Sequence, residues 1–104
     1  MENINDLKFN KYQVTIRFYM DEEFMQLVPS HRMHINNLIE KGTMDYYAVS
    51  METQRCWMII NAGSKIEVEQ YLQRSSLFKY WTVEIDELLV YDSQSYRLPA
   101  LQLN

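Results

Sequence analysis

From Lys11 to Met20 the chain alternates. Tyr12, Val14, Ile16, Phe18 and Met20 fall on one side, and Gln13, Thr15, Arg17 and Tyr19 on the other. A period of two predicts a strand with one apolar and one mixed face. The period then lengthens. Phe24, Leu27, Val28, His31, Ile35 and Leu38 share a face at helical spacing, which predicts a helix running to about Lys41. Asp21 suits its N-cap, Glu22 and Glu23 suit the positive end of its dipole, and Gly42 suits the residue just past its end. Pro29 conflicts with this helix. It removes a backbone donor, so a kink or a restart is expected there.

Thr43 to Ser50 reads as a second strand, with Tyr46 and Ala48 facing opposite to Asp45, Tyr47 and Val49. Met51 to Gln54 reads as a turn, and Arg55 to Asn61 as a short, nearly continuously apolar third strand. Ser64 followed by Glu67 forms a capping box that opens a second helix. Val68, Tyr71, Leu72 and Ser75 give its inner face, and Ser75 and Ser76 end it. Phe78 to Val90 reads as a fourth strand, with Trp81, Val83 and Ile85 on one side and Tyr80, Thr82, Glu84 and Asp86 on the other. Residues 1–9 read as a loose arm. Residues 91–104 carry Tyr96, Leu98, Leu101 and Leu103, too many apolar groups for a free tail. The order β-α-β-β-α-β over a single domain, 1–104, is the ferredoxin-like α+β arrangement: a four-stranded antiparallel sheet with two helices on one face.

Helices cover only one side of such a sheet. On this reading the other side carries Arg17, Tyr19, Tyr47, Trp57, Tyr80 and Thr82. Aromatic groups there would form a sticky patch. Two copies packed sheet to sheet would bury it and enclose a cavity, so a homodimer or higher homo-oligomer is expected. Tyr19, Tyr47, Trp57 and Tyr80 would line a site for a small molecule, with Arg17 holding a carboxylate. Equally, these side chains would serve only to fill the interface.

Composition narrows the functions. The 104 residues carry a net charge of -4, which disfavours nucleic acid because phosphate binding needs a clustered basic surface. No apolar run approaches the ~20 residues of a membrane span, and the first residues lack a leader pattern. The expectation is a cytoplasmic protein with neither nucleic acid nor membrane as partner. One cysteine allows no internal disulfide. Cys56 alternates with Met58 and Ile60 and reads as a small buried hydrophobe. Two glycines cannot build a phosphate-cradling loop or a dinucleotide fingerprint. His31 and His34 make an H-x-x-H step without a third ligand at a telling spacing, so no metal is expected. No cofactor is expected either.

Two resemblances add to this. Leu72-Gln-Arg-Ser-Ser-Leu-Phe-Lys-Tyr-Trp-Thr-Val-Glu-Ile-Asp-Glu-Leu88 resembles the second helix and last strand of muconolactone isomerases, and Leu38-Ile-Glu-Lys-Gly-Thr43 resembles the end of their first helix. Pro29-Ser-His31, with Gly42 downstream, resembles the first helix of the YciI-related proteins. Both families imply the dimeric α+β barrel. The second implies a His/Asp pair, carried here by His31 and Asp45.

His31 is thus either a core residue with a quiet partner or a proton-transfer group in a pocket. Two functions follow as expectations. One is cofactor-free proton transfer on a small lactone or unsaturated acid, with His31 as base, Asp45 orienting it and Arg17 binding a carboxylate. The other is a non-catalytic module that binds a small molecule or assembles into oligomers.

Overall fold

A computed structural model describes residues 9–93 of the chain. Its elements are β1 (Asn10–Phe18), α1 (Phe24–Glu40), β2 (Met44–Ser50), β3 (Arg55–Ala62), α2 (Lys65–Gln73) and β4 (Trp81–Glu87), with a single 3-10 turn at Phe78–Tyr80 before β4. The strands lie in the order β2-β3-β1-β4, and every neighbouring pair is antiparallel. This is the ferredoxin-like α+β fold expected from the hydrophobic pattern. The expected arm lies almost wholly outside the described residues, and so does most of the expected tail.

Alternation explains the sheet's buried face. Tyr12, Val14, Ile16 and Phe18 of β1 stand beside Ile60, Met58 and Cys56 of β3 and beside Ile85, Val83 and Trp81 of β4. These side chains join Phe24, Ile35 and Leu38 of α1 and Val68 and Leu72 of α2 in one apolar cluster. Both helices therefore pack on the same side. The opposite side carries Gln13, Thr15, Arg17, Trp57, Thr82, Glu84 and Asp86, the intervening positions of the same registers.

The helix boundaries follow the polar signals. The Asp21 carboxylate accepts the N–H groups of Glu23 at 3.0 Å and Phe24 at 3.2 Å, which satisfies donors that the first turn leaves free. α1 runs unbroken through Pro29, without a restart. Gly42 follows its end at φ 77°, with Gly42 N–H donating to Ile39 and Thr43 N–H donating to Leu38. That pair of bonds is the Schellman closure, and its left-handed residue favours glycine. In α2 the Ser64 hydroxyl accepts from Glu67 N–H, and the Glu67 carboxylate accepts from Gly63 N–H.

Three strand boundaries depart from the pattern by two residues or more, one of them the end of β4 at Glu87 rather than Val90. β1 ends at Phe18, and Tyr19 and Met20 turn away toward the Asp21 cap. β4 begins at Trp81, because Phe78, Lys79 and Tyr80 wind into a 3-10 turn with Tyr80 N–H donating to Leu77. Tyr80 is consequently buried, with its hydroxyl donating to Asp21 at 2.6 Å. It does not lie on the open face of the sheet.

Tyr47 also departs from its expected face, and a β-bulge is the reason. Met44 pairs with Ile60 but Tyr46 pairs with Ile59, so Asp45 is an extra residue without a partner in β3. An extra residue shifts the alternation of everything after it. Tyr47 falls opposite Met58 and Val49 opposite Cys56, both on the helix-covered side, while Tyr46 and Ala48 face away. Among the described residues, no helix is long and apolar enough to cross a membrane.

Candidate functional site

At one end of the sheet the helix-covered face is not fully filled. Trp81 and Phe18 stand side by side there, with Cys56 and Val49 paired nearby. Above them α1 contributes Phe24, Met25, Val28, His31 and Arg32, and Met51 and Leu77 close the sides from two loops. The result is a pocket of about 340 Å³. Its walls are overwhelmingly apolar, and a few polar groups converge in them, the usual composition of a small-molecule site.

His31 is the most buried of those polar groups, at 2 % exposure. The stripe on α1 carries it inward with Phe24, Ile35 and Leu38. Its Nδ1 lies 2.7 Å from the Ser75 hydroxyl, and its Nε2 lies 2.6 Å from the Tyr47 hydroxyl. Trp81 meets the imidazole edge to face, with centroids 5.7 Å apart. Ser75 Oγ also accepts the N–H of Leu77 at 3.0 Å, and it keeps a second acceptor site as well as its own proton, so either imidazole tautomer satisfies the bond to Nδ1. Either Nε2–H donates to the Tyr47 oxygen or the Tyr47 hydroxyl donates to Nε2. Ser75, His31 and Tyr47 thus form one chain of hydrogen bonds.

The chain consists of neutral groups, and the electrostatics keep it so. Burial lowers the His31 pKa from 6.5 to about 4, helped by the charge of Arg32 and by His34. Burial raises the Tyr47 hydroxyl well above its ordinary value. It also pushes the Cys56 thiol up to about 12, although the neighbouring Tyr47 hydroxyl partly offsets this. Cys56 is buried, as its alternation with Met58 and Ile60 indicates.

The pair of His31 with Asp45 does not form. The Asp45 carboxylate accepts from Lys11 Nζ at 2.7 Å and from Asn61 Nδ2 at 2.9 Å. As the extra residue of the bulge it is drawn to Lys11 and Asn61, which themselves pair across β1 and β3. The other expected site residues are scattered. Arg17 is exposed on the open face, between Arg55 and Thr82. Trp57 is half-buried on that same face beside Thr15 and Ala48. Tyr19 is exposed and packs edge-on against the buried Tyr80. Of the expected set, the fold brings His31 and Tyr47 together in the pocket, and Tyr19 and Tyr80 together away from it.

Two polar groups of the pocket wall, Arg32 and Cys56, and Ser75 behind His31 were not legible as such. Ser75 reads as the inner-face end of the second helix and Cys56 as core. A signal for Ser75 existed, since a hydroxyl at the close of one helix is placed to meet a polar residue buried on another. His34 does not join His31. Its imidazole bonds to the Tyr71 carbonyl at 2.8 Å and so ties α1 to the last turn of α2. Among the described residues no three metal-ligating side chains converge. Comparison of the chain with protein-family models and with curated proteins finds no match.

Proposed function

We propose that this protein is a small-molecule binding module whose ligand occupies the pocket between α1 and the Trp81 end of the sheet. The observation that carries this reading is the part-buried Tyr47–His31 hydrogen bond in the wall of a mainly apolar cavity of about 340 Å³. Such a cavity accepts a ring with a short chain, and a positioned hydroxyl fixes its orientation.

Proton transfer on a small lactone or unsaturated acid, the activity implied by the resemblance to muconolactone isomerases, fits this geometry less well. A general base works best with a pKa near the working pH. His31 has neutral partners, no carboxylate beside it, and a pKa near 4. The binding reading needs only a neutral imidazole that holds Tyr47 in place.

Self-association through the open face of the sheet belongs to the same proposal. That face joins Tyr46 and Trp57 to Arg17 and Arg55 near one end and to Glu84 and Asp86 on β4. A second copy turned about a two-fold axis would set arginines against carboxylates and cover the aromatics. Light scattering at increasing protein concentration reads this directly, and a strict monomer at all concentrations would reject it.

Tryptophan fluorescence tests the pocket. In a Trp57→Phe background the remaining indole is Trp81, which lines the cavity. Titration with aryl-alkanoic acids, their amides and unsaturated lactones is expected to give saturable quenching. Val28→Phe and Val49→Phe, which fill two walls, should weaken it about 10-fold or more, since overpacking a filled site costs 1–3 kcal/mol. Quenching indifferent to both substitutions would reject the pocket as the site. Turnover of a lactone that depends on His31 would select the catalytic reading instead.

A further inference from the structure

We propose that Arg32 makes the pocket a carboxylate site, so that the ligand is an apolar monocarboxylic acid whose ionised head lies against the Arg32 guanidinium beside Tyr47. This rests on the reading of the pocket as a ligand site and names the chemistry of what enters it.

Arg32 follows His31 on α1 and stands at the wall of the cavity with its side chain exposed. Its guanidinium carbon lies 5.5 Å from the centroid of the Tyr47 ring. That contact steadies a planar fork at the pocket's edge. Its side-chain hydrogen bond is a long one, 3.3 Å to the neutral Asn36 amide one turn along the helix. Lys11 pairs with Asp45 and Lys79 with Glu23, and among the described residues no carboxylate pairs with Arg32. This is notable in a chain with fourteen acidic residues and ten lysines and arginines. Acid partners are in excess, yet the arginine at the pocket is left to a neutral amide.

The rest of the cavity limits the ligand to one charge. Beyond Arg32 its polar groups are the neutral His31, Tyr47 and Cys56, and the remaining walls are Phe, Met, Val, Leu and Trp side chains. A second carboxylate pushed among them would be desolvated without a partner, which is strongly unfavourable. A doubly charged phosphate would ask for more donors than one guanidinium supplies. One bidentate fork at the edge and an apolar interior match an aryl or branched alkyl chain ending in a single carboxylate.

Calorimetric titration of the full chain tests the assignment. The probes are phenylacetate through 5-phenylpentanoate and the corresponding primary amides, with wild type and Arg32→Gln. At neutral pH the best acid is expected to bind about 10-fold or more tighter than its amide, as a charge-assisted bond allows. Added salt should erode that preference. Arg32→Gln should abolish it by lowering acid affinity much more than amide affinity, and because the side chain is exposed the variant should keep the wild-type unfolding midpoint. Equal binding of acid and amide by wild type would overturn the role of Arg32 and leave the pocket standing, as would a preference that survives Arg32→Gln. Failure of every acid and every amide to bind would overturn the pocket reading and this inference together.

Discussion

The Tyr47 hydroxyl lies 2.6 Å from His31 Nε2, so the edge strand β2 and the helix α1 share a part-buried hydrogen bond inside the pocket. Tyr47→Phe would leave Nε2 of the buried imidazole without its partner while keeping nearly all of the packing. A buried polar group left unpaired costs about 1–3 kcal/mol. Urea unfolding at neutral pH should show a loss of that size. A change within experimental error would mean that water replaces the hydroxyl, and that the bond does not organise the site.

Stability should fall in mildly acidic solution because of His31. The unfolded chain takes up this proton near pH 6.5, whereas the folded chain resists it until about pH 4. Between those values the unfolded state binds more protons, so lowering the pH through this window destabilises the fold. Above 6.5 the group contributes nothing to the pH dependence. The full loss is roughly 3 kcal/mol. Asp21 has its pKa held below the ordinary carboxylate value, first by the Tyr80 hydroxyl, so its own loss of stabilisation comes at lower pH. Urea midpoints from pH 7 to 4.5 should therefore flatten in His31→Gln, and equal slopes in the two proteins would remove His31 as the cause.

Asp45→Asn should leave the imidazole signals of His31 unmoved in an NMR titration. Asp45 is engaged with Lys11 and Asn61, and both members of the ion pair keep about a fifth of their side-chain surface exposed, 20 % and 23 %. Pairs of this kind contribute less than about 1 kcal/mol. A small loss of stability with an unchanged His31 pKa is expected. A shift of the His31 titration would restore the carboxylate as its partner.

Gln54 closes the β2–β3 turn with φ 53°, and its carbonyl accepts the N–H of Phe18. A side chain in that left-handed conformation costs roughly 1–2 kcal/mol, most of which glycine avoids. Gln54→Gly should raise stability by up to about 1 kcal/mol, the unfolded chain's greater freedom offsetting part of the relief. Thermal unfolding measures it, and a lower midpoint would show that the Gln54 side chain stabilises the turn by other contacts.

Much of the fold was legible because its signals are local. The alternation of Tyr12 to Phe18, the Asp21 cap, the Gly42 closure and the Ser64–Glu67 box each act within a few residues. The site was legible only at His31, whose polar ring in an apolar stripe demands an explanation. Its partners were not. Ser75 is 44 residues away in sequence and reaches Nδ1 only after α2 has ended. Tyr80 looked like a strand residue by alternation, but its hydroxyl is fastened to Asp21, 59 residues earlier. Arg32 draws attention only once the acids that could pair with it have been located elsewhere.

The unpaired residue in β2 has a consequence for the length of the chain. Met44 and Tyr47 already stand where an uninterrupted strand lacking Asp45 would put them. Deleting Asp45 outright should therefore leave both neighbouring tyrosines on their present sides, whereas inserting a residue between Tyr46 and Tyr47 would turn Tyr47 outward. The pocket wall can lose a link of backbone at one point and cannot gain one two positions later.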